Sequence, residues 1–484
     1  MNIKMILYTL GNLLKVTAAL LLLPIVVSLV YKEFNYILCF AIPLIEAFLL
    51  GWFLSIRKPK NTTIYASEGF VIVGLSWILI SLFGCMPFLI SKTIPRFIDA
   101  FFETVSGFTT TGSTILFDVE ASLNNIHGIM FWRSFTHWIG GMGVLVFILA
   151  FMPNVGETFY IMKAESPGPQ VGKLVSKVRL TARILYFIYI GLTLLEIIVL
   201  FIGRMPLFDS IVTTFGTAGT GGFGIRNDSI AGYNDFCQVA IGIFMLLFGV
   251  NFNIYYLILI GKAKQALKSE ELIWYLGFMF TAVAAITINL ALTTTEAFAT
   301  ILKNSFFTVS SIMTTTGFST APFELWPQFS QTTLLILMFI GACAGSTGGG
   351  IKVSRIAILI KSAGREIKKL IHPHSVSSIR FERQKVEDDV VRSIKNFFVI
   401  YMFIFVVCFL ILSLDKYDLV TNLSAVAACI NNIGPGLGNV IGSAGNYGGF
   451  NVLSKIVLIF AMFVGRLEIY PIIIMFHRKT WTNK

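Results

Sequence analysis

The chain has 484 residues, 56% of them hydrophobic and 13% charged, with a mean hydropathy of +0.80. A soluble domain carries about twice that charged fraction, so the composition excludes a soluble globular protein and points to a membrane. The formal charge of +12 is not a nucleic-acid patch, because 27 of the 37 lysines and arginines cluster between apolar runs, as short basic loops do on the cytoplasmic side of a membrane protein.

Runs of about 20 apolar residues cross a bilayer as helices. In chain order they are expected at 10–31, 36–56, 67–90, 128–152, 182–203, 237–261, 271–292, 332–360 (interrupted), 395–414 and 452–477. Lys4 and Lys15 precede the first run, and no small-residue cleavage site follows it. A retained span is therefore expected rather than a cleaved signal peptide. Basic clusters follow every second run: Arg57, Lys58 and Lys60; Lys163 to Arg183; Lys262, Lys264 and Lys268; Lys352 to Lys395; and Arg478 and Lys479. Both termini are thus expected in the cytoplasm, with each pair of spans an outward-pointing hairpin. The expected units are 1–62, an N-terminal hairpin, and four repeats at 63–160, 161–268, 269–385 and 386–484. The six cysteines (Cys39, Cys85, Cys237, Cys343, Cys408 and Cys429) show no metal or disulfide spacing and read as small buried hydrophobes.

After the first hairpin, each external connection is too long and too apolar for an ordinary loop. Each holds a short helix-like segment followed by a Thr-, Asn- or Gly-rich stretch. Pro95–Thr109 leads into Thr110-Thr111-Gly112-Ser113, and Pro206–Thr217 into Gly219-Thr220-Gly221-Gly222-Phe223. Ala297–Met313 leads into Thr314-Thr315-Thr316-Gly317-Phe318, and Leu419–Ile430 into Asn431-Asn432-Ile433-Gly434-Pro435-Gly436. Apolar stretches of 10–14 residues read as re-entrant segments. Thr-Val-Ser-Gly-Phe-Thr-Thr-Thr-Gly in the first copy parallels Thr-Val-Ser-Ser-Ile-Met-Thr-Thr-Thr-Gly in the third, so this is an internal repeat. Four copies imply four-fold pseudo-symmetry about one axis.

Irregular backbone at membrane depth must be buried in protein or line water. Glycine lets a carbonyl turn toward the axis, and rings of carbonyls can replace a cation's hydration shell. Each loop follows the partly negative end of its short helix, which favours a cation. With no ring of carboxylates, the loops suit a weakly hydrated monovalent ion such as potassium. Close helix packing by small residues is the plainer reading of one such loop, but it accounts poorly for four in register.

Two further features lie deeper. The eighth span is interrupted by Gly341 to Gly350, which includes Gly345, Gly348, Gly349 and Gly350. A helix should not survive that glycine density, and a flexible gate beneath the third loop is expected. The stretch fails the phosphate-loop pattern because Gly350 is followed by Ile351. Arg466 lies within the last apolar run. It reads either as an electrostatic barrier in the conduction path or as half of an ion pair, for example with Glu468. Glu46, Glu103, Arg133, Glu196, His127 and His137 are read as structural.

These motifs together resemble the TrkH family, the membrane subunits of bacterial Trk potassium-uptake systems within the Trk/Ktr/HKT superfamily. The resemblance covers nearly the whole chain. It is carried by the four loops, by Ala344 to Lys352, by Gly465-Arg466-Leu467-Glu468 and by Ala164-Glu165-Ser166-Pro167-Gly168-Pro169. It implies an all-α polytopic membrane protein, with four pseudo-symmetric helix–pore loop–helix repeats of potassium-channel type plus the N-terminal hairpin. The potassium filter would comprise Thr110, Thr111, Gly112, Thr220, Gly221, Gly222, Thr315, Thr316, Gly317, Asn432, Ile433 and Gly434. Its filter glycines would be Gly112, Gly221, Gly317 and Gly434. Serine at the first of these goes with sodium transport in plant relatives, so Gly112 favours potassium. The family's gate loop maps onto Gly341–Gly350 and its pore arginine onto Arg466. Potassium is the substrate and no cofactor is expected on this chain.

The resemblance also implies a homodimer in the bacterial cytoplasmic (inner) membrane. It further implies a cytosolic TrkA-type ring that binds NAD(H) or ATP/ADP, for which the basic stretches Lys352–Lys395 and Ala164–Arg183 are the expected docking surface, with topology-setting charge the plainer reading of both. In the sequence register, the second copy inserts Ala218-Gly219 where the first and third have threonines, so looser ion discrimination than in a four-fold channel is expected. The alternative is a potassium symporter coupled to protons or sodium. A membrane enzyme is remote, because no acid, base, nucleophile or metal set converges.

Overall fold

The structure is a computed structural model, and it describes residues 1–122, 126–143, 178–375 and 377–481. It is helical almost throughout. The one sheet among the described residues is a two-residue hairpin, with Arg380 opposite Lys385 and Phe381 opposite Gln384. Its turn residues Glu382 and Arg383 both have positive φ.

The N-terminal hairpin pairs Ile3–Leu20 and Leu22–Val30 with Phe34–Ser55. Its helices cross at glycine: a Cβ on Gly11 would lie 2.8 Å from the Gly51 carbonyl oxygen, and one on Gly51 would lie 2.7 Å from that of Gly11. Lipid offers helices no hydrophobic drive to associate, so backbone approach at small residues supplies it.

Each repeat then has an entering helix, a short helix and a returning helix. The entering helices are Ala66–Ile90, Val178–Ile202, Glu270–Thr293 and Asp388–Leu412. The first is started by a cap in which the Glu68 carboxylate accepts the Tyr65 N–H at 2.9 Å. The short helices are Phe97–Phe108, Leu207–Gly219, Phe298–Met313 and Leu419–Ile430. The fourth begins at Asp418, whose side chain accepts the Thr421 N–H at 3.3 Å. Six helices among the described residues are long and apolar enough to cross a membrane, and two bent pairs bring this to as many as eight.

The returning helices depart from the expected straight spans. The second runs Asp235–Gly249, bends by 90° and resumes as Phe252–Leu259. The fourth runs Val452–Arg466, bends by 119° and resumes as Tyr470–Phe476. The sequence showed interruption only in the third, where the expected break separates Gln328–Phe339 from Val353–Ile371. The first is described as His127–Gly141, and the rest of its expected run lies outside the described residues, as do Lys163, Lys173, Lys177 and Ala164–Pro169. All six cysteines are buried free thiols.

Candidate functional site

The short helices end in one repeated backbone sequence. The residue one beyond each helix cap, or at the cap in the second repeat, takes a left-handed conformation: Thr110 at φ +55°, Thr220 at +54°, Thr315 at +58° and Asn432 at +55°. Left-handed backbone costs an L residue about 1–2 kcal/mol, and it is least suited to β-branched threonine. Three threonines in that state at equivalent places show that the surroundings over-determine the loop. The following N–H closes back onto the short helix with the same length each time: Thr111 to Ser106 O, Gly221 to Gly216 O, Thr316 to Ser311 O and Ile433 to Ala428 O, all 2.8 Å. This is the six-to-one closure of a Schellman-type helix end.

A glycine with positive φ comes next: Gly112 at +79°, Gly222 at +74°, Gly317 at +86° and Gly434 at +98°. The register therefore corrects the sequence reading. The residue equivalent to Gly112, Gly317 and Gly434 is Gly222, not Gly221, and Gly219 occupies the place of Thr109 and Thr314 without any insertion. Three glycines within Gly219 to Gly222 made the alignment ambiguous by one residue.

The loops form a closed ring. A Cβ on Gly112 would lie 1.9 Å from the Gly221 oxygen, one on Gly222 2.0 Å from the Thr316 oxygen, one on Gly317 2.0 Å from the Ile433 oxygen, and one on Gly434 2.7 Å from the Thr111 oxygen. Each loop thus meets the next in chain order and the fourth meets the first, around one axis. Among the described residues, no N–H or O–H donates to the carbonyls of Thr110, Thr111 or Gly112, nor to those of their second- and third-loop equivalents, nor to Asn432 or Ile433. Buried carbonyls are nearly always paired, so a stack of undonated ones needs water or a cation.

Side chains behind the ring hold it in place. Thr109 and Thr314 each bond the carbonyl four residues back at 2.7 Å and the threonine two residues on at 2.8 Å. Asn431 takes that place in the fourth loop, bonding Ala427 O at 2.9 Å and receiving the Tyr401 hydroxyl at 2.8 Å. Glu103 accepts Arg133 at 2.7 Å and the Ile115 N–H at 2.9 Å, while Arg133 lies 3.7 Å over the Phe223 ring. His137 bonds Gly107 O through Nδ1 at 2.8 Å and faces the Phe223 N–H through Nε2 at 3.3 Å. That arrangement fits a neutral ring carrying its proton on Nδ1. His137, read from sequence as structural, is buried between the first two loops.

The glycine-rich loop lies directly beneath. Gly345 and Gly350 have φ of +70° and +67°. A Cβ on Gly348 would lie 3.1 Å from Thr314 O, and one on Gly349 2.7 Å from Asn431 O. Residues missed from sequence hold this loop in place. Glu271 accepts the Ala344 N–H at 2.8 Å, Gly249 O accepts the Cys343 N–H at 3.0 Å, and Phe252 N–H bonds Gly345 O at 3.0 Å. The bend of the second returning helix is therefore the seat of the third repeat's loop.

Arg466 bonds Thr347 O at 2.9 Å, Gly141 O at 2.7 Å, Gly140 O, and the Thr110 hydroxyl at 3.1 Å. Glu468, the ion-pair partner considered from sequence, is bonded by Arg355. On the opposite loop, the Thr315 hydroxyl accepts the Gly349 N–H at 2.7 Å. So two hydroxyls at the inner end of the ring are occupied by the arginine and the glycine-rich loop.

Four re-entrant loops closed about one axis, set in apolar helices, are the architecture of a membrane transport protein. The chain belongs to the TrkH family of cation transport proteins, whose family model matches residues 39–482. It is 34% identical to the Trk system potassium uptake protein TrkH of Salmonella typhimurium, over 99% of this chain and 100% of that protein. It is also 34% identical to the Trk system potassium uptake protein TrkG of Escherichia coli, over 100% and 99%. The crystal structure of the potassium transporter TrkH from Vibrio parahaemolyticus superposes with a TM-score of 0.89 at 31% identity, covering both chains completely. Members of this kind are transporters rather than enzymes.

Proposed function

We propose that this chain takes up potassium across the bacterial cytoplasmic membrane through one pore lined by its four loops. The observation that carries this reading is the stack of undonated carbonyls at the ring, from Thr110 to Gly112, Thr220 to Gly222, Thr315 to Gly317, and Asn432 to Ile433. Carbonyl oxygens in rings replace a potassium ion's water, and the negative ends of four short helices favour positive charge there. In this reading the ion sheds water at the outer ring and passes the loop carbonyls. It then meets the closed inner end, where Arg466 and Gly349 hold the Thr110 and Thr315 hydroxyls. Opening moves the 341–350 loop away and breaks the Arg466–Thr347 bond, which removes both a plug and a fixed positive charge.

The repeat boundaries 63–160, 161–268, 269–385 and 386–484, the cytoplasmic termini and a homodimeric state belong to the same proposal. So does control by a cytosolic nucleotide-binding ring docked on Lys352–Lys395, the chain segment attached directly to the gate loop. Binding of such a partner after replacement of that segment and of Ala164–Arg183 overturns the docking surface. The transport test is flux in proteoliposomes under imposed potassium, sodium and proton gradients. Current reversing at the potassium equilibrium potential regardless of the other gradients is expected. Reversal that shifts with a proton or sodium gradient would make the protein a coupled symporter instead.

A further inference from the structure

One ring carbonyl differs from all its equivalents. The Gly434 oxygen accepts the Tyr447 hydroxyl at 2.8 Å and lies 3.3 Å from the Ser113 hydroxyl. The other three glycines of that level, Gly112, Gly222 and Gly317, have no donor among the described residues. We infer that Tyr447 and Ser113 withdraw the fourth carbonyl from the outermost ion position, so that this level binds a cation with three carbonyls and a water. The inference rests on the filter reading above and names the residues that set its outer coordination.

Both donors are built in. Tyr447 is 2% exposed and Ser113 1% exposed. The Tyr447 N–H bonds Thr114 O at 2.8 Å, and its ring lies 5.7 Å from Phe102 and 5.6 Å from Phe450. The hydroxyl is thus held against Gly434 from the first repeat's side. Neither donor is repeated. The residues after the other filter glycines are Phe223, Phe318 and Pro435, none with a hydroxyl. The tyrosine of the second external loop, Tyr233, bonds Asp209 at 2.9 Å instead.

A carbonyl oxygen has two acceptor positions, and here both are directed at protein donors. An oxygen polarised by two O–H groups gives a cation a weaker field, and the number and field strength of carbonyls set the preference for potassium over sodium. Three carbonyls and a mobile water discriminate less well against the smaller ion than four carbonyls do. Looser selectivity therefore originates at one identifiable oxygen rather than from irregular side chains around the ring.

Reversal potentials of the full chain in proteoliposomes, in mixed potassium and sodium, test this. Tyr447→Phe combined with Ser113→Ala is expected to raise the potassium-to-sodium permeability ratio about five-fold, with each single change giving less. An unchanged or lower ratio in a variant that still transports overturns the inference. A measurement on the unaltered protein covers the case in which the variants fail to fold. A thallium-soaked structure is expected to place an outer ion against Gly112, Gly222 and Gly317, with the Gly434 oxygen more distant. Four equal contacts overturn the inference while leaving the filter intact, and thallium absent from between the loops overturns the filter reading and this one with it.

Discussion

The four loops and the layer beneath them are built on opposite principles. In the loops the backbone repeats while side chains vary: threonine, threonine, threonine and asparagine share one left-handed conformation, and four closing bonds share one length. Beneath, the four returning helices each end differently, at Gly141, at a 90° bend, at a glycine-rich loop and at a 119° bend after Arg466. A ring that presents backbone carbonyls needs only a common main-chain path, so sequence drift at its side chains is tolerated. On the proposed function a gate responds as one piece, through single residues of the third and fourth repeats. On that proposal, symmetry marks the selecting layer and its loss the controlling one.

The largest effect is expected behind the loops. Glu103→Ala leaves the Arg133 guanidinium buried without its carboxylate and should destabilise the protein by about 3–5 kcal/mol. Thermal unfolding in detergent measures this. Lys303→Ala, which removes a pair to the largely exposed Asp235, should cost no more than about 1 kcal/mol. Similar losses from the two changes would show that the brace is not what holds the ring.

Next comes the ring itself. Gly222→Ala puts a methyl group 2.0 Å from the Thr316 oxygen at a residue with φ of +74°. Left-handed strain and overpacking together come to about 3 kcal/mol, a hundred-fold loss of potassium uptake. Gly277→Ala, with nothing within 4 Å of the added methyl, serves as the control in the same uptake assay. Normal uptake by Gly222→Ala would mean that the loops do not meet as described.

How much of this was legible in sequence follows the same division. The four loops were readable because a repeated main-chain path demands small or glycine residues at a fixed distance after each short helix. The one-residue error at Gly221 arose because only φ separates neighbouring glycines, and composition carries no φ. The break at Gly341–Gly350 was readable, because glycine density betrays it. The bends at Val250-Asn251 and at Leu467 to Ile469 left no such trace. Each sits inside an apolar run with no dense glycine cluster, and what bends the chain at Val250-Asn251 is tertiary: Gly249 O and Phe252 N–H turn to serve the third repeat's loop. Tyr447 was invisible for the opposite reason, as an unrepeated residue in an irregular external loop.

The gating layer yields the remaining tests. Arg466→Gln keeps a polar side chain but removes the charge and most of the fork that spans Thr347, Gly140 and Gly141. Bonds from charged groups contribute about 1.5–3 kcal/mol, so basal potassium flux should rise roughly ten- to hundred-fold. Unchanged flux in a folded variant would end the barrier reading.

The smallest effect separates gate from scaffold. Glu271 belongs to the third entering helix and, among the described residues, reaches the glycine-rich loop through the Ala344 N–H, while the Asn251 amide at 3.5 Å and Ser354 bond it from either side. Exchanging its carboxylate for an amide in Glu271→Gln keeps an acceptor oxygen but loses the ionic strengthening, about 1 kcal/mol. If the loop is a gate in balance between two positions, that weakening should appear as a roughly five-fold rise in basal flux with little change in ion preference. If the loop is instead a fixed part of the selecting layer, the same substitution should alter the potassium-to-sodium permeability ratio and leave basal flux unchanged. Measuring both quantities on one variant therefore decides on which side of the boundary between the two layers the glycine-rich loop belongs.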